Sequence, residues 1–234
     1  MTTSAIRYAI YYAPAAESAL WRFGSAVLGY DAAMAAAVDF AVPPGYAAAD
    51  WPALTAEPRR YGFHATLKAP FELVEGRNEG ALRAVLRNWA ARRATLVLEG
   101  GLAVTALGRF VALTPAVPSA GLQALAFDIV QDFEAFRAPL SPADLARRLE
   151  SPLTPAQRAY LEAYGYPYVG DAFRFHMTLT GRLPDDAVGP VATALDTAYR
   201  ASVPAGPLAI DRIALFRQPE RSGRFVLVDS VPLG

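Results

Sequence analysis

The stretches HATL, residues 64–67, and HMTL, residues 176–179, repeat the pattern His-x-Thr-Leu and contain both histidines of this 234-residue chain. Each stretch lies in a β-like run, and we predict strands near residues 62–71 and 173–180. Because side chains in a strand alternate between its two faces, each histidine shares a face with the threonine two residues further on. A single match of this kind usually marks a structural histidine. Two matches that use every histidine favour a catalytic pair of imidazoles with hydroxyl groups beside them.

The same alternation extends the two faces by one more residue. It places Lys68 on the face of His64 and Thr180 on the face of His176. Lys68 is the only lysine among 22 basic residues. A compact ammonium beside a histidine suits an anion better than a planar guanidinium where space is tight, so we predict that Lys68 binds phosphate. An exposed strand end is the alternative interpretation of this lysine.

The composition predicts a folded cytoplasmic protein that uses neither a metal nor a cofactor. Hydrophobic residues make up 53% of the chain, and the formal net charge is zero, which argues against a partner such as duplex DNA or an anionic membrane. The absence of cysteine excludes disulfides and thiolate metal sites, and no His-Glu-x-x-His motif is present. We expect neither a secretory signal nor a membrane span, since no apolar run of about 18 residues occurs.

The predicted elements occur twice in the same order, namely strand, helix, excursion, motif strand, helix, strand, strand. The excursions cover residues 30–58 and 138–171, and their role stays open. We therefore expect an α+β fold in one bilobal domain, residues 1–234, whose two interleaved and pseudo-symmetric lobes each form an antiparallel sheet with helices on its outer face. The two motif strands would face each other across a central cleft, with the imidazoles on opposite walls.

Three polar residues mark the starts of predicted helices. Asn78 and Ser119 each precede an apolar pattern of helical spacing, which is typical of an N-cap. Thr154 is followed by proline at the first helical position and by Gln157 at the third, which predicts a capping box.

With these motifs the chain resembles the two-histidine (2H) phosphoesterase superfamily, whose signature is a pair of His-x-[Ser/Thr]-x motifs in two such lobes. The flanking stretches 59–71 (RRYGFHATLKAPF) and 173–181 (FRFHMTLTG) resemble a bacterial subfamily that is associated with phosphonate-utilisation operons. The opening stretches 7–14 (RYAIYYAP) and 20–24 (LWRFG) resemble it too. The resemblance covers essentially the whole chain.

The resemblance implies metal-independent opening of a phosphodiester, often a 2′,3′-cyclic ring. One histidine, His64 or His176, would deprotonate the attacking water, and the other would protonate the departing alkoxide. An unperturbed pKa near 6.5 allows one neutral and one protonated imidazole to coexist near neutral pH. Thr66 and Thr178 would donate hydrogen bonds to the non-bridging oxygens. The sequence does not assign base and acid.

The substrate class is also left open. A 2′,3′-cyclic nucleotide, an RNA end and a ribose cyclic phosphate from phosphonate breakdown all present a similar phosphorus centre, so the expected partner is a small phosphorylated molecule or a nucleotide or RNA end. A non-catalytic module that binds nucleotides or RNA ends is the main alternative. The chain has no G-x-x-x-x-G-K-[ST] loop, so ATP use is not indicated. The oligomeric state stays open.

Four residues near the motifs are further candidates for binding substrate. Alternation places Arg60 on the face of His64 and Arg174 on the face of His176. Together with Tyr61, these residues could clamp a phosphate or stack on a base or sugar, whereas each arginine could equally be a solvated strand end. Tyr11 in the first strand could reach the cleft, although core packing is the alternative.

Overall fold

The computed structural model describes residues 6–234, which form an antiparallel α+β structure. The strands are β1 Arg7–Tyr12, β2 Tyr30–Asp31, β3 Ala36–Ala37, β4 Ala65–Glu72, β5 Leu96–Leu98, β6 Leu102–Leu107, β7 Phe110–Pro115, β8 Met177–Thr178, β9 Leu208–Ile210, β10 Arg212–Gln218 and β11 Val226–Pro232. The α-helices are α1 Ala19–Leu28, α2 Trp51–Leu54, α3 Ala56–Arg59, α4 Glu79–Ala90, α5 Ala120–Asp132, α6 Pro142–Leu149, α7 Pro155–Tyr164 and α8 Asp185–Ser202.

Seven strands form one sheet in the order β11-β10-β1-β4-β8-β7-β6. Each of the pairings within it is antiparallel. Two short ladders, β2 with β3 and β5 with β9, lie outside it. The predicted α+β class with antiparallel strands and packed helices is therefore confirmed.

The two halves of the chain meet within this sheet, because the motif strands β4 and β8 are hydrogen-bonded neighbours. The sequence predicted that these strands face each other across a gap. They lie side by side instead, since each strand satisfies the backbone groups along one edge of the other. The second motif strand is also shorter than predicted, with two residues in place of residues 173–180.

The two faces of the sheet have different coverings. Strand β1 sends Tyr8, Ile10 and Tyr12 into the main core, where α4, α5 and α8 pack. The opposite face carries Tyr11 in a smaller cluster that includes the aromatic side chain of Phe216. Because the long helices occupy only the first face, the second face is free to form a site.

The predicted helix starts are confirmed at all three positions. The Asn78 side chain accepts a hydrogen bond from the Ala81 amide, and Ser119 accepts one from Leu122. Thr154 and Gln157 form both bonds of a capping box. Each cap satisfies amide groups that have no partner within the first turn of the helix. No helix within residues 6–234 combines the length and apolarity needed to span a membrane.

Candidate active site

The residue between the histidine and the threonine of each motif fixes the orientation of that motif. These residues, Ala65 and Met177, are fully buried in the main core and lie opposite each other in the β4–β8 pairing. Since neighbouring side chains in a strand point to opposite faces, the histidine and threonine of each motif lie on the other face of the sheet. The predicted sharing of a face therefore follows from the packing of two apolar side chains.

The register also determines how the two motifs meet. Moving one residue to either side of the Ala65–Met177 pair places His64 across from Thr178 and Thr66 across from His176. Directly opposed Cβ atoms lie about 5 Å apart, and diagonal ones about 7 Å. Each histidine therefore has the other motif's threonine as its neighbour. The two imidazoles are diagonal across the strand pair.

Both imidazoles are oriented in the same way. His64 Nδ1 lies 2.9 Å from the carbonyl oxygen of Gly62, and His176 Nδ1 lies 2.7 Å from that of Arg174. Because a carbonyl only accepts, each Nδ1 carries a proton, and Nε2 is left as the reactive nitrogen. Gly62 has a φ of 75°, a conformation that residues with a Cβ rarely adopt, and this turn aims the carbonyl at the ring.

His64 is held in an aromatic environment. The Tyr11 ring stacks on the imidazole with centroids 3.7 Å apart, and Phe216 and Tyr61 lie at 6.1 Å and 6.2 Å. The pKa of His64 is lowered to about 4, chiefly by burial and to a smaller extent by the nearby His176, whereas the Gly62 carbonyl opposes the shift. His64 is consequently neutral at neutral pH and can accept a proton at Nε2.

Within residues 6–234, His176 has one aromatic neighbour in place of the three around His64. It is half-buried, and its ring lies 5.8 Å from that of Phe110 at the start of β7. It lines a cavity of about 470 Å³ together with Thr66, whereas His64 lines a cavity of about 530 Å³ together with Thr178. Both cavities are bounded by Leu107 and Phe110, so they are adjoining compartments, which together we call the cleft.

Several predicted binding residues lie in this cleft. Tyr61 and Thr180 line the His64 compartment, and Arg174 lines the His176 compartment. Thr180 is buried, and its hydroxyl accepts a hydrogen bond of 3.0 Å from the Val111 amide. Tyr11 is fully buried under His64, so it combines core packing with contact to the imidazole.

Arg60 lies outside the cleft lining. It is exposed, and its guanidinium donates a hydrogen bond of 2.8 Å to the carbonyl of Arg221. The reason is that residue 60 caps α3 and precedes the strand, so strand alternation does not extend to it.

The prediction that Lys68 shares a face with His64 is wrong. Thr66 lies across from Tyr11 on the cleft face, but Lys68 lies across from Ile10 on the core face, because the β1–β4 register shifts between these pairs. Lys68 is 3% exposed, and its ammonium donates bonds of 2.9 Å to the Val130 carbonyl and to Glu134.

The structure adds cleft residues that the motifs did not indicate. Arg109, after the turn at Gly108, lines the His64 compartment and forms an ion pair of 2.9 Å with Asp185. Tyr166 and Tyr168 line the His176 compartment. The tyrosine-rich run around residues 160–168 is a sequence signal for the latter two, whereas no pattern marks Arg109. Within residues 6–234, no group of three or more metal-ligating side chains has a metal-binding arrangement.

The model of a protein family described as "Protein of unknown function (DUF1045)" matches residues 66–226. The chain belongs to the DUF1045 family. Two curated relatives of this DUF1045 chain are named ribose 1,5-bisphosphate phosphokinase PhnN. The protein from Janthinobacterium sp. (strain Marseille) is 38% identical over 98% of this chain and 51% of its own length. The protein from Laribacter hongkongensis (strain HLHK9) is 37% identical over 95% of this chain and 50% of its own length. The chain thus spans about half the length of these relatives.

Solved structures with similarity to the DUF1045 chain include three proteins of low sequence identity. A crystal structure of a phosphoesterase has a TM-score of 0.44 at 16% identity, and it covers 98% of both chains. Escherichia coli LigT complexed with phosphate has a TM-score of 0.40 at 16% identity, with 98% of both chains covered. Kluyveromyces marxianus Usb1 has a TM-score of 0.37 at 11% identity, with 100% of both chains covered.

Proposed function

We propose that this DUF1045 chain hydrolyses a cyclic phosphodiester without a metal ion, with His64 as general base and His176 as general acid. The observation that carries the proposal is the β4–β8 register, which sets each histidine across from the other motif's threonine on one cleft face. A binding site alone does not require two imidazoles that are both oriented by a carbonyl at Nδ1, with Nε2 directed towards the cleft threonines or solvent.

The proposed reaction begins at His64. Its neutral Nε2 takes a proton from a water molecule, and the water oxygen forms a bond to phosphorus. The bond from phosphorus to the bridging oxygen on the opposite side breaks, and that oxygen receives the proton from His176 Nε2. The product is a phosphate monoester with a free hydroxyl. The two imidazoles exchange protonation states and return to their starting states through solvent.

The threonines support this step through the phosphoryl oxygens. Thr66 Oγ1 lies 3.2 Å from His64 Nε2, so its hydroxyl donates to the neutral imidazole until substrate is present. When a phosphodiester enters, Thr66 and Thr178 can turn their hydroxyls towards the non-bridging oxygens, where negative charge increases in the transition state. The two hydroxyls approach from neighbouring strands.

For the substrate, we favour a cyclic phosphate of a phosphorylated ribose over a cyclic nucleotide or an RNA end. The support comes from the relatives, whose name describes a kinase of ribose 1,5-bisphosphate and which are about twice as long as the region they share with this chain. Lys68 is the one lysine here, and no phosphate-binding loop with the pattern G-x-x-x-x-G-K-[ST] is present, so the kinase name fits the other half of those proteins. Hydrolysis of a ring phosphate on ribose 5-phosphate yields a ribose bisphosphate, which is the substrate class of such a kinase. A role in phosphonate metabolism would be consistent with this product.

The proposal is tested with the purified 234-residue chain in the presence of EDTA. A ribose 1,2-cyclic phosphate and adenosine 2′,3′-cyclic phosphate are incubated with it, and ³¹P NMR follows conversion of the ring phosphate to a monoester. We expect turnover that persists in EDTA and is lost in His64→Ala and in His176→Ala. Binding of these compounds without any turnover would instead support a nucleotide-binding or RNA-end-binding module, and activity that needs added zinc would contradict the metal-free mechanism.

A further inference from the structure

A second group of polar side chains adjoins the cleft and has no role in the proposed reaction. It consists of Arg7, Tyr11, Tyr61, Arg148 and Tyr166, which we call the Arg–Tyr cluster. Three of its members surround the ring of the buried Phe225. Its centroid lies 5.7 Å from the Arg7 guanidinium, 6.2 Å from the Tyr11 ring and 5.3 Å from the Tyr61 ring.

The Arg–Tyr cluster contacts both halves of the active site. The Tyr11 ring stacks on His64, and Tyr166 lines the compartment of His176. The Arg148 guanidinium lies 5.1 Å from the centre of the Tyr166 ring. Tyr166 therefore connects the Arg–Tyr cluster to the His176 compartment, whereas Arg7 and Arg148 line a smaller neighbouring pocket.

Two polar atoms of the cluster are buried without a hydrogen-bond partner among residues 6–234. They are the Tyr11 hydroxyl and Arg148 Nε. An unpaired buried donor is costly, and native proteins rarely contain one without a ligand or water beside it. Tyr11 is fully buried on the cleft face, so its hydroxyl is a preformed donor next to His64.

The acidic residues near the cluster are already engaged by other arginines. Asp144 accepts from Arg221 at 2.6 Å and from Arg147 at 2.7 Å, and Glu72 accepts from Arg221 at 2.6 Å. Arg148 has no ion pair within the described part of the chain. The local excess of positive charge therefore lies at the cluster.

Arg7, the other cation of the cluster, is paired with a neutral group. Its guanidinium donates two hydrogen bonds to the side-chain oxygen of Gln218, at 2.8 Å and 2.5 Å. Gln218 satisfies these donors without cancelling the charge, so Arg7 retains its attraction for an anion. Within residues 6–234, neither cation of the Arg–Tyr cluster forms an ion pair, and Asp144, which attracts both, is shared with Arg147 and Arg221.

We propose that the Arg–Tyr cluster binds a second phosphate group of the substrate, distinct from the phosphodiester that is opened between His64 and His176. Guanidinium groups recognise phosphate oxygens with paired donors, and tyrosine hydroxyls add single donors. Burial raises the pKa of Tyr166 to about 12 and that of Tyr11 well above its usual value, so both hydroxyls keep their protons at neutral pH. This inference rests on the proposed function and narrows its substrate to a cyclic phosphodiester that also carries a phosphate monoester.

The test compares two substrates that differ by one phosphate, namely ribose 1,2-cyclic phosphate with and without a 5-phosphate. For the wild-type chain we expect a kcat/KM about 10- to 100-fold higher for the 5-phosphorylated compound, the gain typical of a few charge-assisted hydrogen bonds. Arg148→Gln should remove most of this preference, mainly by raising KM for the 5-phosphorylated compound. It should leave turnover of the compound without the 5-phosphate unchanged. Tyr11→Phe, which keeps the ring on His64 and removes only the hydroxyl, should also reduce the preference.

Arg147→Gln is the matched control. Arg147 is the preceding residue on α6, is 57% exposed and is not a member of the cluster, so its loss changes the net charge equally while Arg221 still pairs with Asp144. We expect it to keep the wild-type preference. If Arg147→Gln and Arg148→Gln lost the preference for the 5-phosphorylated compound equally, or if Arg148→Gln kept it, the second phosphate site would be overturned. The proposed function would remain intact in either case. Failure of the wild-type chain to hydrolyse either compound would overturn the proposed function itself.

Discussion

The two motifs of this chain carry the same residues in different surroundings. Each imidazole donates from Nδ1 to the carbonyl two residues earlier, so the repeat preserves the orientation of the ring. His64, however, stacks against Tyr11 and has its pKa lowered to about 4, whereas the aromatic neighbour of His176 is Phe110, at 5.8 Å between ring centroids. Because a largely neutral His64 cannot supply the proton for the leaving group, the acid role belongs to the other histidine in the proposed mechanism. The difference between the halves thus assigns roles that the repeated motif leaves equal.

The largest expected effect is the loss of either imidazole. His64→Ala and His176→Ala should each lower kcat about 10²- to 10⁴-fold, since proton transfer occurs in the transition state. The two variants can be separated with a phosphodiester whose leaving group is p-nitrophenolate, which departs without protonation. His176→Ala should lose much less activity on this analogue, and His64→Ala should lose as much as before. Steady-state kinetics measures both losses. A smaller loss in His64→Ala than in His176→Ala would make His176 the base and His64 the acid.

The threonines provide the next largest effect. Thr66→Val and Thr178→Val should each lower kcat by about 10²-fold, because each removes a donor to the phosphoryl oxygens while preserving the shape of the side chain. The two losses should be similar, since the register places the hydroxyls in equivalent cross-strand positions. Single-turnover rates and KM values would check this. A rise in KM with unchanged kcat would indicate ground-state binding only.

The burial of His64 predicts an unusual pH dependence. The base must be neutral, so the acidic limb of kcat/KM should fall near pH 4, well below the pKa of about 6.5 for an unperturbed histidine. A pH series with the 5-phosphorylated and unphosphorylated ribose cyclic phosphates would measure this limb. An acidic limb at pH 6.5 in both series would show that His64 is not the buried base.

The same pKa predicts how stability changes with pH. The folded pKa lies below the unfolded one, so the unfolded chain binds the proton first as the pH decreases. Stability is therefore fully present above about pH 6.5 and decreases towards pH 4, by at most about 3 kcal/mol. In urea titrations, His64→Gln should lose less stability than the wild type over this window. Equal losses would mean that other groups dominate the titration.

Local features of the site could be predicted from the sequence, whereas those set by distant contacts could not. The face shared by His64 and Thr66 follows from strand alternation, and the cap at Thr154 follows from its immediate neighbours. The pairing of β4 with β8 joins segments 112 residues apart, and nothing near either motif encodes its register. The placement of Arg148 beside Tyr166 has the same origin, because it joins α6 to the segment that follows α7.

The smallest expected effect on turnover concerns the fourth residue after each histidine, Lys68 in one half and Thr180 in the other. Both side chains are buried and hydrogen-bonded. The Lys68 ammonium donates to Glu134, and the Thr180 hydroxyl accepts from the Val111 amide. Lys68→Met should lower the free energy of unfolding by about 2 kcal/mol, a moderate loss because Glu134 also pairs with Arg137. Thr180→Val should cost about 1–2 kcal/mol by leaving a buried amide without its partner.

The change at Lys68 should not alter the chemical step. Lys68→Met should retain the wild-type kcat and KM at temperatures where the fold is intact, because its ammonium lies on the core face under α5. Thermal unfolding and kinetics on the same sample separate the two effects. A stable Lys68→Met variant with a raised KM for phosphate-bearing substrate would show that the β1–β4 register can change and that the lysine reaches the cleft during turnover. In that case the two motifs would differ in their phosphate contacts as well as in the pKa of their imidazoles.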